Sequence, residues 1–432
     1  MQGIKVLDVK KTTIIIVCMT VFLAQISEKT DNIGYMIIGY LMVFLWTVFN
    51  NTYYIFPICL FLLSDNSILD IGGISIQLLL MLIYLFKNFV YNNKKIYSKT
   101  FFYAMLISIY SLIYINLGIS YALQGIKLAI LIVFFTECFR NKDNVTLENY
   151  FDYIEYASFG LIFSLIIAII VNPTIMLTTG RIALSEDSNW NMFGILSAIL
   201  FSHNFLIYVY SNKKKNLFFS IVFVVYTVIS TSRTALIVII VSFLWNIFKI
   251  SSSKKKNDLT KFLIIVIVVI VVGMIIFGNI HFTFTDKLID RIINPRRGDV
   301  SNGRFSLWIG YINCLKNNSK MLIFGHGSPL VDGIKAINEK TSNVAHNLYI
   351  EQMVMYGIVG NIIIILLYLS SYNKIKNDII MNNHSMNKKY MINIAIIFIV
   401  GIFSHLLTSV LVTTELYLGI LQYMVFNLDK KE

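Results

Sequence analysis

Charge is scarce in this chain of 432 residues: only 14% of them are Asp, Glu, Lys or Arg, whereas soluble domains contain about a quarter. Hydrophobic residues make up 57%, and runs such as residues 262–277 carry no charge over nearly the length of a bilayer span. Both observations exclude a soluble globular protein. They predict an all-α polytopic membrane protein, because backbone groups in lipid must bond to one another and these run lengths suit helices.

Cysteine is equally scarce, and the motifs of several enzyme classes are missing. The four cysteines are scattered along the sequence, which supports neither a disulfide framework nor a metal cluster. The sequence contains no P-loop, no His-Glu-x-x-His and no Asp-x-Asp. The last of these often holds the metal of sugar-nucleotide transferases. We therefore expect no metal and no cofactor.

The lysines determine the predicted threading. The apolar runs indicate about twelve to fourteen transmembrane helices. With fourteen, the lysine clusters fall in alternate loops, which the positive-inside rule assigns to the cytoplasm. Both termini are then cytoplasmic, and one large extracytoplasmic loop remains at residues 280–345. The net charge of +13 is explained by loop lysines, so no nucleic-acid partner is expected. We expect residues 1–432 to form a single integral membrane domain into which this loop is inserted.

Within the loop, residues 302–316 predict a helix. Phe305, Trp308, Ile309, Ile312 and Leu315 recur there at helical spacing. Helices with this pattern lie in the interface of a bilayer, with their apolar side chains towards the acyl chains. We therefore expect an amphipathic helix at the membrane surface.

Seven arginines stand against twenty-nine lysines, and the same threading places six of the seven on the extracytoplasmic side. A guanidinium group is a planar fork that binds phosphate in a bidentate manner, so we expect a phosphorylated substrate there. Arg233 lies between two apolar runs and is interpreted as facing a polar cavity, with snorkelling to the headgroups as the alternative. Solvation in the loop is as good an interpretation for three others, Arg291, Arg296 and Arg297. The remaining two are Arg181 and Arg304.

Among the six histidines, His346 stands out because it opens an apolar helical run, for which Ser342 or Asn343 is the candidate cap. An imidazole at the polar end of such a helix is suited to accept a proton near neutral pH. His326 is flanked by glycine on both sides. These glycines predict a turn or a close backbone approach, and we give them more weight than the imidazole.

Four short motifs follow one another in the second half of the chain. They are Ser232-Arg233-Thr234, then Gly303-Arg304 with Trp308, then Phe324-Gly325-His326-Gly327, and finally Ala345-His346-Asn347-Leu348-Tyr349 with Gly357 and Gly360. In order and spacing they resemble motifs of the O-antigen ligase and O-antigen polymerase superfamily of bacterial envelope glycosyltransferases. The resemblance covers about residues 181–360, and the first half of the chain shows only generic spans.

The resemblance implies a GT-C-like fold in the bacterial inner membrane, with the active site on the extracytoplasmic face. It also implies a metal-independent glycosyltransferase without a cofactor, whose donor is a glycan on polyprenyl diphosphate, usually undecaprenyl diphosphate. His346 would be catalytic, and Arg233, Arg304 and Arg181 would bind the diphosphate. The supporting positions would be Asn347, His326, Arg291, Arg296 and Arg297.

Within this superfamily we favour a polymerase that joins lipid-linked repeat units for capsule, exopolysaccharide or O-antigen. Polymerases are the more variable group, and the first half of the chain departs from a tidy family pattern. A ligase that transfers finished polymer to lipid A core is the alternative. A lipid-linked glycan flippase is the alternative from another class, and the long outer loop and the His346 segment count against it. A flippase and a chain-length regulator are expected as partners.

Overall fold

The structure is a computed structural model. It describes residues 2–64, 70–71, 74–92, 97–117, 119–141, 144–171, 190–230, 232–250, 303–331, 334, 344–379, 392–403 and 409–428. Regular structure in these residues is helical apart from a two-residue antiparallel ladder, Asp70–Ile71 with Ile74–Ser75. The prediction of an all-α polytopic membrane protein is therefore confirmed.

Several consecutive helices are joined by short described turns, as expected for antiparallel neighbours. The helices are numbered here in chain order. They are α1 Gln2–Thr30, α2 Ile33–Phe49, α3 Ile55–Phe61, α4 Ile76–Phe86, α5 Ser98–Leu112, α6 Ile119–Arg140, α7 Leu147–Val171, α8 Trp190–Ser211, α9 Lys214–Ser230, α10 Arg233–Ile250, α11 Arg304–Asn317, α12 Ser319–Phe324, α13 Leu348–Ile379, α14 Ile392–Phe403 and α15 Ser409–Leu428.

Five helices in the described part of the chain are long and apolar enough to cross a bilayer: Val9–Thr30, Tyr121–Arg140, Leu147–Val171, Asn191–Ser211 and Leu348–Asp378. Shorter apolar helices such as Ile33–Phe49 and Ile392–Phe403 accompany them. The uncharged run 262–277 lies outside the described residues. The count of about twelve to fourteen spans and the GT-C-like arrangement stay predictions.

The chain forms two compact units, each made of two stretches. The first unit comprises Met1–Leu80 and Phe151–Pro295, and the second comprises Met81–Tyr150 and Arg296–Glu432. That residues 1–432 form one integral membrane domain stays a prediction.

In the first unit, helices pack through small and polar side chains. Asn204 on α8 donates a hydrogen bond from Nδ2 to Ser158 Oγ on α7 (2.8 Å), and Asn216 on α9 donates one to Asn204 Oδ1 (2.8 Å). A Cβ atom on Gly160 would lie 2.0 Å from the carbonyl oxygen of Phe61. Close backbone approach and interhelical hydrogen bonds are the means by which helices associate in lipid, where burial of apolar surface gives no advantage.

The second unit is joined in the same way. Thr136 on α6, Ser371 on α13 and Tyr417 on α15 form a chain of two hydrogen bonds, each 2.6 Å long. Tyr368 on α13 bonds Thr413 on α15 (2.7 Å). These buried hydroxyl groups satisfy one another, and they fix α13, which begins at the candidate site, against the rest of the unit.

A network of charged side chains joins the end of α6 to the end of α13. Glu137 stands three residues before the end of α6 and forms an ion pair with Arg140 (3.1 Å). Arg140 also approaches Asp378 near the end of α13 (3.9 Å), and Lys374 donates to the same carboxylate (2.6 Å). An ionised group is far less costly in such a network at a helix end than at the centre of a bilayer.

Candidate functional site

Helix α11 begins at Arg304 and carries residues of the candidate site that lie in the second unit. Gly303 precedes it with φ 83°, a left-handed conformation that favours glycine. Leu307, Tyr311 and Leu315 are buried on one face. The helix coincides with the one expected at residues 302–316, and its place at the membrane surface stays a prediction.

Arg304 lies at the first position of α11 and is half-buried. Its Nη1 donates to the carbonyl oxygen of Phe403, the last residue of α14 (3.4 Å). A cation at a helix N-terminus is unfavourable for the helix itself. The guanidinium and the unpaired N–H groups of the first turn together create a local positive potential. This end of α11 is therefore suited to an anion.

Trp308 links this helix to the histidine segment. It lies one turn after Arg304 on the same face of α11, and its Nε1 donates to the carbonyl oxygen of Ala345 (2.8 Å). Ala345 is fully buried. The Trp308 ring also packs at 6.2 Å from the ring of Phe403. Trp308 thus holds the backbone immediately before His346 in the neighbourhood of Arg304.

His346 lies directly before α13 in a left-handed conformation, with φ 52°. For a residue other than Gly, Asn or Asp this conformation is uncommon and costs about 1–2 kcal/mol. Its side chain is half-buried. The backbone on both sides of it is restrained, because Trp308 bonds to Ala345 and Asn347 caps the helix. Strained residues of this kind concentrate at functional sites.

Asn347 is the N-cap of α13, which corrects the expectation of Ser342 or Asn343. Its Oδ1 accepts hydrogen bonds from the backbone N–H groups of Tyr349 (3.1 Å) and Ile350 (3.2 Å). The side chain is only 7% exposed. The helix therefore begins after His346 and not before it, while Ser342 and Asn343 lie outside the described residues.

The turn that contains His326 is joined to α13 through the backbone. His326 N donates to Val354 O (2.7 Å) and Gly327 N to Met355 O (3.0 Å). These carbonyl groups are free to accept because α13 is broken at Gly357, with φ 60° and ψ −170°. The close backbone approach predicted from the glycines is confirmed, and the His326 side chain is exposed.

Side chains satisfy the other carbonyl groups at the break. Tyr110 on α5 donates to Tyr356 O (3.0 Å) and to Phe324 O (2.6 Å), and the hydroxyl of Tyr114 also bonds Phe324 O. Asn361 Nδ2 donates to Gly357 O (2.7 Å). Irregular backbone within an apolar helix is tolerated where protein groups bond to it, so this break is a built feature of the fold.

Gly357→Ala tests the break. A Cβ atom there would lie 2.4 Å from Gly325 N and 2.5 Å from Ile323 O, in a conformation that is strained by about 1–3 kcal/mol for other residues. We expect a free energy of unfolding lower by at least that amount, measured by thermal unfolding of the detergent-purified protein. Gly310→Ala in α11, where the nearest atom is a methyl carbon of Ile334 at 3.0 Å, is the control and should change stability little. Equal stability of both variants would contradict the prediction.

Tyr311 holds the other end of the glycine turn. Its hydroxyl donates to Pro329 O (3.1 Å). Burial raises the pKa of Tyr311 to about 12, so the hydroxyl remains protonated and a donor at physiological pH. The face of α11 that carries Trp308 and Tyr311 therefore positions both the His346 segment and the His326 turn.

Arg233 begins α10 in the first unit and is half-buried. The turn before it is tight: Ser232 is 2% exposed, and a Cβ atom on Gly194 would lie 2.3 Å from Ser230 Oγ. The backbone that leads into Arg233 is therefore well packed. The other predicted arginines lie outside the described residues, namely Arg181, Arg291, Arg296 and Arg297.

Several residues that shape the site were missing from the set of predicted site residues. Trp308 was noted only as a motif residue, although its spacing of four from Arg304 signals a shared helix face. Tyr110 and Tyr114 lie more than two hundred residues from their partner Phe324, and no local pattern points to that contact. Glu351, buried in the first turn of α13, could have been found as an acidic residue close to a helix start.

Comparison with known proteins gives a match to one family model. Residues 217–365 match the family model described as O-antigen ligase. The matched range contains Arg233, Arg304, Trp308, His346 and the break at Gly357. No curated protein and no solved structure gives a significant match to the chain. Residues 217–365 are thus similar to the O-antigen ligase family, and the match supports glycosyl transfer of the O-antigen ligase and polymerase type.

Proposed function

We propose that the protein is a polymerase of lipid-linked oligosaccharide repeat units that acts on polyprenyl-diphosphate donors. One observation carries the proposal: within the segment that matches the family, a histidine in a left-handed conformation precedes a capped helix, and a tryptophan one turn from Arg304 holds its backbone. The arrangement presents a base and a cation in the same neighbourhood, as a glycosyl transfer from a diphosphate requires.

In the proposed reaction, a hydroxyl of the acceptor sugar attacks the anomeric carbon of the donor glycan. The bond from that carbon to the diphosphate oxygen breaks, and the lipid diphosphate leaves with the bonding electron pair. His346 takes the proton of the attacking hydroxyl, a role that contributes about 10²–10⁴-fold in rate. Direct attack inverts the anomeric centre, and retention in the product would contradict this step.

The leaving diphosphate gains negative charge, and fixed positive groups stabilise it without having to reorganise during the reaction. Arg304 suits this role because its guanidinium carries a permanent positive charge at the half-buried start of α11 and is oriented by its hydrogen bond to Phe403 O (3.4 Å). We propose Arg233 and Arg181 as further diphosphate ligands from the family motifs. Asn347 supports the site by capping α13.

We favour a polymerase over a ligase from the sequence, because polymerases are the more variable group and the first half of the chain departs from a tidy family pattern; the family match itself is common to both. A ligase would use the same His346 and Arg304, so only the acceptor distinguishes the two. We also propose that both termini are cytoplasmic and the site extracytoplasmic. The gathering of Arg140 and Lys374 at the ends of α6 and α13, which are the ends remote from His346, supports this orientation.

The test is reconstitution of the purified protein with lipid-diphosphate-linked repeat units from its own host, with products resolved by size. A ladder of products in the absence of added metal supports the polymerase. Transfer only after addition of a lipid A-core acceptor identifies a ligase. Passage of the donor across the bilayer without either product identifies a flippase and overturns the proposal.

Arg233→Lys should abolish most transfer although it retains the charge, because an ammonium group cannot bind a diphosphate in a bidentate manner. The expected fall in kcat/KM for the donor is about 10–100-fold, or roughly 1.4–2.7 kcal/mol. The change is measured in the same reconstituted assay, beside Lys213→Arg as an exposed control. Full activity of Arg233→Lys would remove this residue from the proposed diphosphate site.

A further inference from the structure

A buried carboxylate lies next to the candidate site and has no role in the reaction as described. Glu351 is 1% exposed and belongs to the first turn of α13. Burying a charge is costly without compensation, and a position near a helix N-terminus supplies part of it because the macrodipole favours the ionised form. The negative charge of Glu351 also contributes, after burial, to the raised pKa of Tyr311, so Glu351 lies on the side of α13 that α11 covers.

Tyr311 is not the donor that this carboxylate requires. The hydroxyl of Tyr311 has one proton, and it donates that proton to Pro329 O (3.1 Å). Trp308 likewise uses its single N–H on Ala345 O (2.8 Å). Trp308 and Tyr311 therefore each use their one side-chain proton on a backbone carbonyl group.

The cap of α13 determines which side chain meets Glu351. With Asn347 as the N-cap, His346 occupies the position before the cap and Glu351 the fourth position of the helix. In capped helices the side chains at these two positions are the pair that pack against each other across the first turn. This contact is usually made by two apolar side chains. An imidazole and a carboxylate at the same two positions can instead form a hydrogen bond.

We propose that Glu351 is a positioning residue for His346: its carboxylate accepts a hydrogen bond from one ring nitrogen and so presents the other, unprotonated nitrogen to the acceptor hydroxyl. The inference rests on the proposed function for the role of His346 as a base. Glu351 takes no proton in the reaction. It selects the tautomer, orients the ring and stabilises the imidazolium that forms when the base is protonated.

The experiment compares the wild type with Glu351→Gln and, as a matched control on the neighbouring position, Gln352→Ala. Diethyl pyrocarbonate modifies neutral imidazole, and peptide mass spectrometry gives the modification rate at each histidine as a function of pH. His326, which is exposed, serves as the internal reference. This readout requires no catalytic activity. The other titratable or charged groups on described elements around the segment are Arg304, Tyr311 and Cys314 of α11 and Tyr349 of α13, and all variants retain them.

A carboxylate partner favours the charged imidazolium and raises its pKa. Its removal therefore lowers the pKa of His346, and the expected shift in Glu351→Gln is about one unit, with the profile of His326 unchanged. The turnover number should fall about 10–100-fold, as for other residues that orient a functional histidine, with little change in KM for the donor. The acid limb of the rate profile should move to lower pH, since the base must be neutral to act. Gln352→Ala should show none of these effects.

An unchanged modification profile of His346 in folded Glu351→Gln overturns the inference, whatever the enzyme assay shows. If Glu351→Gln does not fold, Glu351→Asp takes its place: the shorter carboxylate should also change the modification profile of His346, and an unchanged profile in folded Glu351→Asp overturns the inference. Failure of the proposed function looks different, because the wild type would then make no glycan product while the titration still reports the pair.

Discussion

Replacing His346 should remove glycan transfer and leave the protein folded. Loss of a general base lowers the rate about 10²–10⁴-fold, so the product ladder should disappear from the reconstituted assay. The left-handed conformation of His346 makes the choice of variant important, because alanine there is strained whereas asparagine adopts this conformation more readily. His346→Asn therefore retains the backbone and removes the base, and His346→Ala serves as the second variant.

Asn313→Ala is the control for the histidine variants, because Asn313 is exposed on α11 and has no proposed role in the site. Its activity should equal that of the wild type. Thermal unfolding of all variants in detergent shows whether they fold, and only variants with a cooperative transition above the assay temperature enter the comparison. Transfer at the wild-type rate by folded His346→Asn would exclude His346 as the base.

The sequence predicts the membrane class and the secondary structure near the site well, because both depend on local patterns. Uncharged runs of sufficient length indicate helices in lipid, and the spacing of apolar residues locates α11 to within two residues at its start. The glycines around His326 predict a close backbone approach, which the hydrogen bonds to Val354 and Met355 confirm.

Long-range partners could not be predicted in this way. No local pattern around Gly357 shows that α13 breaks there. The break depends on distant groups that donate hydrogen bonds to the carbonyl groups it frees: His326 N, Gly327 N and the hydroxyl of Tyr110. Asn347 was missed as the cap because, by composition alone, the apolar run is continuous with His346. The cap is decided instead by which side chain reaches the first free N–H groups of the helix.

Arg304→Lys should impair transfer as strongly as removal of the side chain. The guanidinium of Arg304 donates to Phe403 O at the end of α14, which orients its planar fork at the start of α11. A lysine retains the charge, but its ammonium is a mobile point charge that makes no bidentate contact with a phosphate. Removal of one fixed donor to a developing negative charge costs about 10²–10³-fold in turnover. We expect that loss in kcat/KM for the lipid diphosphate donor.

Arg140→Lys is the matched control for Arg304→Lys, because it makes the same exchange at an arginine in the same unit. Arg140 forms ion pairs with Glu137 (3.1 Å) and Asp378 (3.9 Å), and a lysine can maintain such pairs between point charges. Transfer by Arg140→Lys should therefore stay near the wild-type rate. Equal losses in both variants would mean that arginine is needed for packing in this unit, whereas a loss confined to Arg304→Lys would tie the fork of Arg304 to the diphosphate. Full activity of Arg304→Lys would exclude a bidentate role, and the developing charge would then have to be stabilised from elsewhere.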